Sequence, residues 1–272
     1  MQLTVLGGCG AWPTAVQACS GYLVEYAGFR LLIDPGYATL PRLLEHRTVD
    51  SIDAVLISHG HPDHCADLNP LLRARGLSDT PPPSLPVYAP HGAADAVLAL
   101  DKPSMLAEAY RLREFQPGDR FDIGPFETDT WLLPHFVPNA GIRLTTPDAV
   151  LAYTGDTGPS RDILRLAEGA DLLLSEATYG HERLLWPQMN ESGGPWPLGP
   201  DREMSVRQKW HQGRSCGGSI DVLRQSGGPG WMARDPRLSS SPRSVGTRVW
   251  RSCRSANSLA ATGYTGDWSA RL

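Results

Sequence analysis

Residues 54–64 read Ala54-Val55-Leu56-Ile57-Ser58-His59-Gly60-His61-Pro62-Asp63-His64, and this stretch decides the architecture. Its first half is an unbroken apolar run, the pattern of a strand buried on both faces. Its second half places three histidines and an aspartate within six residues. Imidazole and carboxylate donors at that density suit Zn²⁺, with Mn²⁺ or Fe²⁺ as alternatives. Extended backbone alternates its side chains, so His59 and His61 point to one side and can reach one ion. Asp63 and His64 enter a helix start and can reach a second.

The flanking text is orderly. Leu3–Leu6, Tyr22–Tyr26 and Phe29–Ile33 are short apolar or alternating runs bounded by glycines and turns, and predict strands. Strands are also predicted from Val87, over Phe121–Thr130, Gly141–Thr145, Val150–Tyr153 and Leu172–Ser175. Helices are predicted over Leu40–His46, Leu68–Leu77, Gly92–Leu100 and Asp162–Glu168. Interspersed strands and helices favour a layered α/β domain.

Further ligand-type residues stand at predicted strand ends. His135, in Leu-Pro-His-Phe-Val-Pro-Asn-Ala-Gly-Ile-Arg, lies 71 residues beyond His64, and Asp156, in Thr-Gly-Asp-Thr-Gly, lies 21 further on. In this order the set resembles the metallo-β-lactamase superfamily, whose motif is H-x-H-x-D-H. The resemblance covers residues 1–180. It implies an α/β fold, an αββα four-layer sandwich, and a hydrolase working through a metal-bound hydroxide. It implies that His59, His61, Asp63, His64, His135 and Asp156 hold one or two Zn²⁺ ions, Asp156 bridging them. Asp63 and Asp156 are the catalytic carboxylates, Asp63 as ligand, proton acceptor or both. Asp34, in Leu-Leu-Ile-Asp-Pro-Gly, and Glu176, in Ser-Glu-Ala-Thr-Tyr, are the expected orienting partners of the imidazoles. Arg143 is a candidate contact for an anionic substrate, against the plainer reading of a solvated strand residue.

The phrases Gly-Asp-Thr-Gly and Ser-Glu-Ala-Thr-Tyr look most like the branch around ribonuclease Z and small bacterial phosphodiesterases, many of whose members are homodimers. Charge ranks the substrates within that branch. Residues 1–200 carry 13 Lys/Arg against 24 Asp/Glu, a balance of −11. An enzyme gripping tRNA usually shows a basic footprint. A small phosphodiester such as a cyclic nucleotide is therefore favoured over nucleic acid. A ribonuclease Z-like endonuclease acting on tRNA 3′ ends is the alternative, with a lactone or thioester hydrolase behind it.

Residues 201–272 invert the balance, with 12 Lys/Arg and 5 Asp/Glu, or +7. They hold only nine Leu, Ile, Val or Phe against 11 Arg and 12 Ser. That is below the roughly 20% aliphatic level at which a segment struggles to bury a core. Residues 1–187 are accordingly read as the metallo-β-lactamase-type domain and 188–272 as a poorly specified Arg/Ser/Gly-rich tail. Family members carry one more metal-binding histidine near the C-terminal end, after an apolar strand. His211, in Lys-Trp-His-Gln-Gly, is the available candidate and follows no such strand. A shifted reading frame from somewhere in 187–210 accounts for both features. One allowed coding of Met232–Arg237, read one base later, gives Trp-Leu-Val-Thr-His-Val. A defective family member lacking its last ligand and its last strand and helix is the corresponding non-catalytic reading.

Five cysteines with no Cys-x-x-Cys are not a disulfide framework. The first eight residues read as a strand entering a glycine turn, not a signal peptide. No run approaches the roughly 20 apolar residues of a membrane span. The expected compartment is the cytoplasm, with no membrane partner.

Overall fold

A computed structural model describes residues 1–176, 220–224 and 268–271. The first sheet comprises β1 (Gln2–Cys9), β2 (Ala18–Cys19), β3 (Gly21–Tyr26), β4 (Phe29–Ile33), β5 (Ala54–Leu56), β6 (Leu85–Pro90), β7 (Tyr110–Phe115) and β14 (Trp268–Arg271). Its order is β14-β1-β3-β4-β5-β6-β7, with β2 beside the end of β1. The second comprises β8 (Arg120–Ile123), β9 (Phe126–Leu133), β10 (Asn139–Thr145), β11 (Val150–Tyr153), β12 (Leu172–Glu176) and β13 (Ile220–Arg224), in the order β13-β12-β11-β10-β9-β8.

Side-chain alternation builds the layers. Tyr22, Val24, Leu31, Ile33, Ala54 and Leu56 meet Phe126, Ile142, Leu144, Leu151 and Tyr153 between the sheets. The intervening residues Leu23, Leu32 and Val55 face outward under the helices α1 (Thr39–His46) and α3 (Leu68–Gly76), against Leu43, Leu68, Leu71 and Leu72. On the far face of the second sheet, Leu133, Ala152 and Leu173 lie under Leu166 and Ala167 of α6 (Asp162–Ala167). The result is the four-layer αββα sandwich expected from the motif. Residues 54–57 read as continuously apolar because both faces of β5 are covered.

Strand direction concentrates the chemistry at one edge. β1, β4 and β5 all run the same way, because β1 and β4 are each antiparallel to β3 and β5 is parallel to β4. β9, β11 and β12 likewise share a direction. The segments leaving β4, β5, β9 and β11 carry Asp34, His59–His64, His135 and Asp156. A backbone hydrogen bond from Ala140 N–H to the Ser58 carbonyl, 2.9 Å, ties the two sheets together there.

Several expectations are corrected. Phe121–Thr130 is not one strand but the β8–β9 hairpin, turning at Gly124, whose φ is 54°. A Cβ there would lie 2.5 Å from the Phe29 ring, so glycine is required on both counts. The Gly92–Leu100 helix shrinks to α4 (Asp95–Leu98), because Gly92 takes a φ of 75° and opens a turn instead. The short helices α2 (Pro62–Cys65) and α5 (Pro103–Leu106) and the edge strand β7 were not predicted. β7 is polar, as suits an edge strand, and among the described residues only one of its sides is paired. Within 188–272 the described residues are Ile220–Arg224, which form β13, antiparallel to β12, and Trp268–Arg271, which form β14, antiparallel to β1. Ile220-Asp-Val-Leu-Arg224 carries enough alternation for an edge strand, a signal too short to stand out in that composition. The 187/188 boundary and Met232–Arg237 lie outside the described residues.

Leu56 is fully buried between the sheets, whereas Leu44 on α1 is 55% exposed. Leu56→Ala is expected to lower unfolding free energy by about 2–5 kcal/mol. Leu44→Ala should stay within about 0.5 kcal/mol of the parent. Urea denaturation followed by circular dichroism measures both.

Candidate metal centre

Asp34 organises the site from beneath. It leaves β4 with φ 49°, a left-handed conformation costing a non-glycine residue roughly 1–3 kcal/mol. Its N–H is held by the Leu56 carbonyl at 3.0 Å, and its side chain is completely buried. Oδ1 accepts the Ser58 N–H at 2.7 Å. Oδ2 accepts the Ser58 hydroxyl at 2.6 Å, the Tyr153 hydroxyl at 2.7 Å and His64 Nδ1–H at 2.8 Å. A buried carboxylate needs such saturation to remain charged.

These bonds set the histidine tautomers. The Ser58 hydroxyl spends its one proton on Asp34, so the contact between its oxygen and His59 Nδ1, 3.0 Å, requires the proton on Nδ1. His64 likewise gives Nδ1–H to Asp34. Both rings are thereby turned to offer Nε2, as orienting hydrogen bonds do for metal-binding histidines. Asp34 thus lies against both Ser58 and His64. Glu176 ends β12, with its side chain outside the described residues.

The offered atoms converge in two groups. His59, His61, His135 and Asp156 form one, and Asp63, His64 and Asp156 the other; within each, the donor atoms lie within 4.8 Å of one another. His61 Nδ1 is 3.2 Å from His59 Nε2 and 2.9 Å from His135 Nε2. Asp156 spans the groups, with Oδ1 3.1 Å from His64 Nε2 and Oδ2 3.9 Å from His135 Nε2. His64 Nε2 is buried and lacks an aligned hydrogen-bond partner despite that proximity. Three imidazole nitrogens crowded together and an orphaned fourth suit cations better than they suit each other. The donor set therefore fits metal ions.

Electrostatics supports the fit. Burial is the main reason His59 is held far below the ordinary imidazole range. Burial also lowers His135, to about 4. Both rings are neutral near pH 7, as metal ligation demands. Burial disfavours the charge on His64, yet Asp156 and Asp34 outweigh it and raise this group well above its usual value. Burial works against the Asp156 charge as well, but His64, His59 and His135 keep it well below the carboxylate range. Burial raises Asp63, making it the better proton acceptor of the two.

Two close backbone approaches hold the loops in place. A Cβ on Gly36 would lie 1.8 Å from the Asp63 carbonyl oxygen. Gly155, just before Asp156, has φ 58°, and a Cβ there would lie 2.3 Å from Asn139 Oδ1. The side-chain amide of Asn139 donates to the Thr154 carbonyl at 2.9 Å, bracing the same turn.

The structure does not bring Arg143 to the cluster. It lies four residues along β10 from Asn139, roughly 13 Å away at strand spacing. Its guanidinium donates to the carbonyls of Leu166 and Glu168, at 2.9 and 2.7 Å, at the end of α6. Those carbonyls lack partners within the helix, so arginine serves there as a cap. His211 lies outside the described residues. Ser58, Tyr153 and Asn139 escaped the sequence reading. Tyr153 left a signal, a polar tip on the inward face of an apolar strand, three residues before Asp156.

A model of the beta-lactamase superfamily domain matches residues 29–212. That range crosses the 187/188 boundary. The probable metallo-hydrolase YhfI of Bacillus subtilis is 31% identical over 182 residues, 66% of this chain and 73% of that protein. Ribonuclease Z of Methanopyrus kandleri is 36% identical over 143 residues, 52% of this chain and 49% of that one. The crystal structure of B. subtilis YhfI superposes with a TM-score of 0.61 at 29% identity, covering 71% of this chain and 76% of its own. The short form of human tRNase Z gives 0.59 at 25%, covering 72% and 85%.

Two outcomes check the site. Asp34→Asn places a donor where four donors already converge and is expected to weaken divalent-metal affinity about 10–100-fold in chelator competition. Glu114→Gln, on exposed β7, should leave it unchanged. In metal-free protein the His135 ring should titrate near 4 by NMR. Between about 6.5 and 4 the unfolded chain takes up a proton that folded His135 refuses, so this residue disfavours folding as pH falls through that window.

With the fold, the ligand order and a family model spanning more than half of the sequence in agreement, the chain belongs to the metallo-β-lactamase superfamily.

Proposed function

We propose that the chain is a metal-dependent hydrolase of phosphodiester bonds in a small substrate such as a cyclic nucleotide. The observation that carries this reading is the pair of donor groups sharing Asp156. His59, His61, His135 and Asp156 would hold one ion, and Asp63, His64 and Asp156 a second. Zn²⁺ suits the imidazole-rich first group best, with Mn²⁺ or Fe²⁺ as alternatives. When bound, such ions polarise a phosphoryl oxygen and acidify water towards neutral pH.

The remaining work falls to the chain. Ser58 and Asp34 orient His59 and His64, so the ligand atoms need no rearrangement. Asp63, raised by burial and 3.6 Å from His64 Nε2, is placed to accept a proton at its carboxylate. Asp156 keeps its charge among the histidines and stays a ligand over the working pH range.

The −11 balance of residues 1–200 supports a small substrate over a polyanion. The loops that carry the ligands (34–38, 59–66, 134–138 and 154–158) contain no Lys or Arg. Cleavage of a tRNA 3′ end is the second reading, supported by the 36% identity to a protein named ribonuclease Z.

The test is a panel of cyclic nucleotides, bis(p-nitrophenyl) phosphate and pre-tRNA, assayed with Zn²⁺ or Mn²⁺. Turnover of the small phosphodiesters, abolished by chelator and lowered at least about 100-fold in Asp156→Asn, is expected. Cleavage of pre-tRNA alone would reverse the order of the two readings. Turnover of acyl esters alone would overturn both.

A further inference from the structure

The exposed aliphatic and methionine side chains are spread over the fold: Leu44, Leu77, Leu100, Met105, Leu132 and Leu164 lie outside the ligand loops, and Val16, at 74%, shares the loop of Trp12. The large exposed aromatic rings among the described residues are Trp12 at 54%, Tyr37 at 39% and Phe136 at 82%. All three stand on loops at the edge that carries the metal-type ligands.

Each position follows from a contact already in place. Phe136 succeeds His135, and their ring centroids are 5.4 Å apart. Tyr37 succeeds Gly36, which packs on the Asp63 carbonyl, and its own carbonyl accepts the Cys19 N–H at 2.9 Å. Trp12 lies two residues beyond Gly10, whose carbonyl accepts the Cys19 thiol at 3.1 Å. Asp63 is in turn among the charges felt by that thiol. Tyr37 thus lies beside Asp63 at the edge of the first sheet, and Trp12 stands on the loop that leaves β1 at that same edge. Phe136 belongs to the edge of the second, beside His135. The ligand cluster lies between.

Exposed ring faces grouped around a ligand cluster offer apolar area that a bound molecule can cover. What covers these must also reach the cluster and must not depend on cationic contacts. Loop 10–17 carries no Lys or Arg of its own, like the ligand loops, and the Arg42 guanidinium that reaches it is engaged by the Val16 carbonyl at 2.9 Å and by Glu45 at 3.1 Å. A polyanionic backbone would need such cations. A single phosphate would be neutralised at the cluster, and a flat heterocycle attached to it needs only ring faces.

We propose that Trp12, Tyr37 and Phe136 form an aromatic rim that recognises the nucleobase of a nucleotide substrate by stacking, while the phosphate sits at the metal-ligand cluster. The rim rests on the phosphodiesterase reading and adds specificity to it: it selects compounds bearing a planar ring over equally charged ones without it. It discriminates poorly among bases, since every base offers a π face.

The test compares AMP with ribose 5-phosphate, the same phosphate and sugar without the base, by isothermal titration into Zn²⁺-loaded protein. AMP is expected to bind at least about 5-fold more tightly, the lower end of one stacked base. Phe136→Ala and Trp12→Ala should each shrink that gap and leave ribose 5-phosphate unchanged, while Phe136→Trp keeps it. Equal affinities in the parent, a gap that survives both alanine substitutions combined, or binding of neither compound overturns the rim. Hydrolysis of bis(p-nitrophenyl) phosphate is measured alongside. Turnover without an AMP preference overturns the rim and leaves the hydrolase reading intact. An AMP preference without turnover of any phosphodiester does the reverse.

Discussion

The Asp34 carboxylate is the constraint on which the rest of the edge depends. It is anchored on β4, it fixes the Ser58 backbone and hydroxyl at the end of β5, and it holds His64. Through Tyr153 it also reaches the second sheet. One buried charge therefore sets two histidine tautomers and the separation of the sheets at the point where donors from both must meet. The left-handed backbone at Asp34 is tolerable because so many partners over-determine it. Buried networks of this kind are stable only when complete, which makes the arrangement all-or-none.

Around that anchor the charges are balanced locally. The imidazoles that must be neutral are kept neutral by burial, and the one most surrounded by carboxylates is kept charged until something displaces its proton. The same low-dielectric setting that makes His59 a poor base makes it an available lone pair. Metal binding and protonation thus compete for the same nitrogens.

Much of this was legible in the sequence, for a physical reason. Ligand residues are dense, chemically distinctive and pinned to strand ends, so His59–His64, His135 and Asp156 declared themselves in order. The buried strands were legible too, because residues 54–57 are apolar on both faces. Other parts were not. Arg143 looked like an anion contact because nothing in a single strand reveals that a helix end lies over it. The β8–β9 turn was hidden by apolar residues on both sides of Gly124. Ser58 and Asn139 act through a hydroxyl, a carbonyl and a side-chain amide, groups whose role depends on what the fold places opposite them.

The two short strands near the end of the sequence have a consequence of their own. β14 lies along β1 and β13 along β12, so each covers a backbone edge that β3 and β11, on the opposite sides, leave open. An uncovered strand edge is a template for pairing with another molecule and a common route to aggregation. Each of the two covering strands is itself short, five and four residues, and a short strand is a poor template for further pairing.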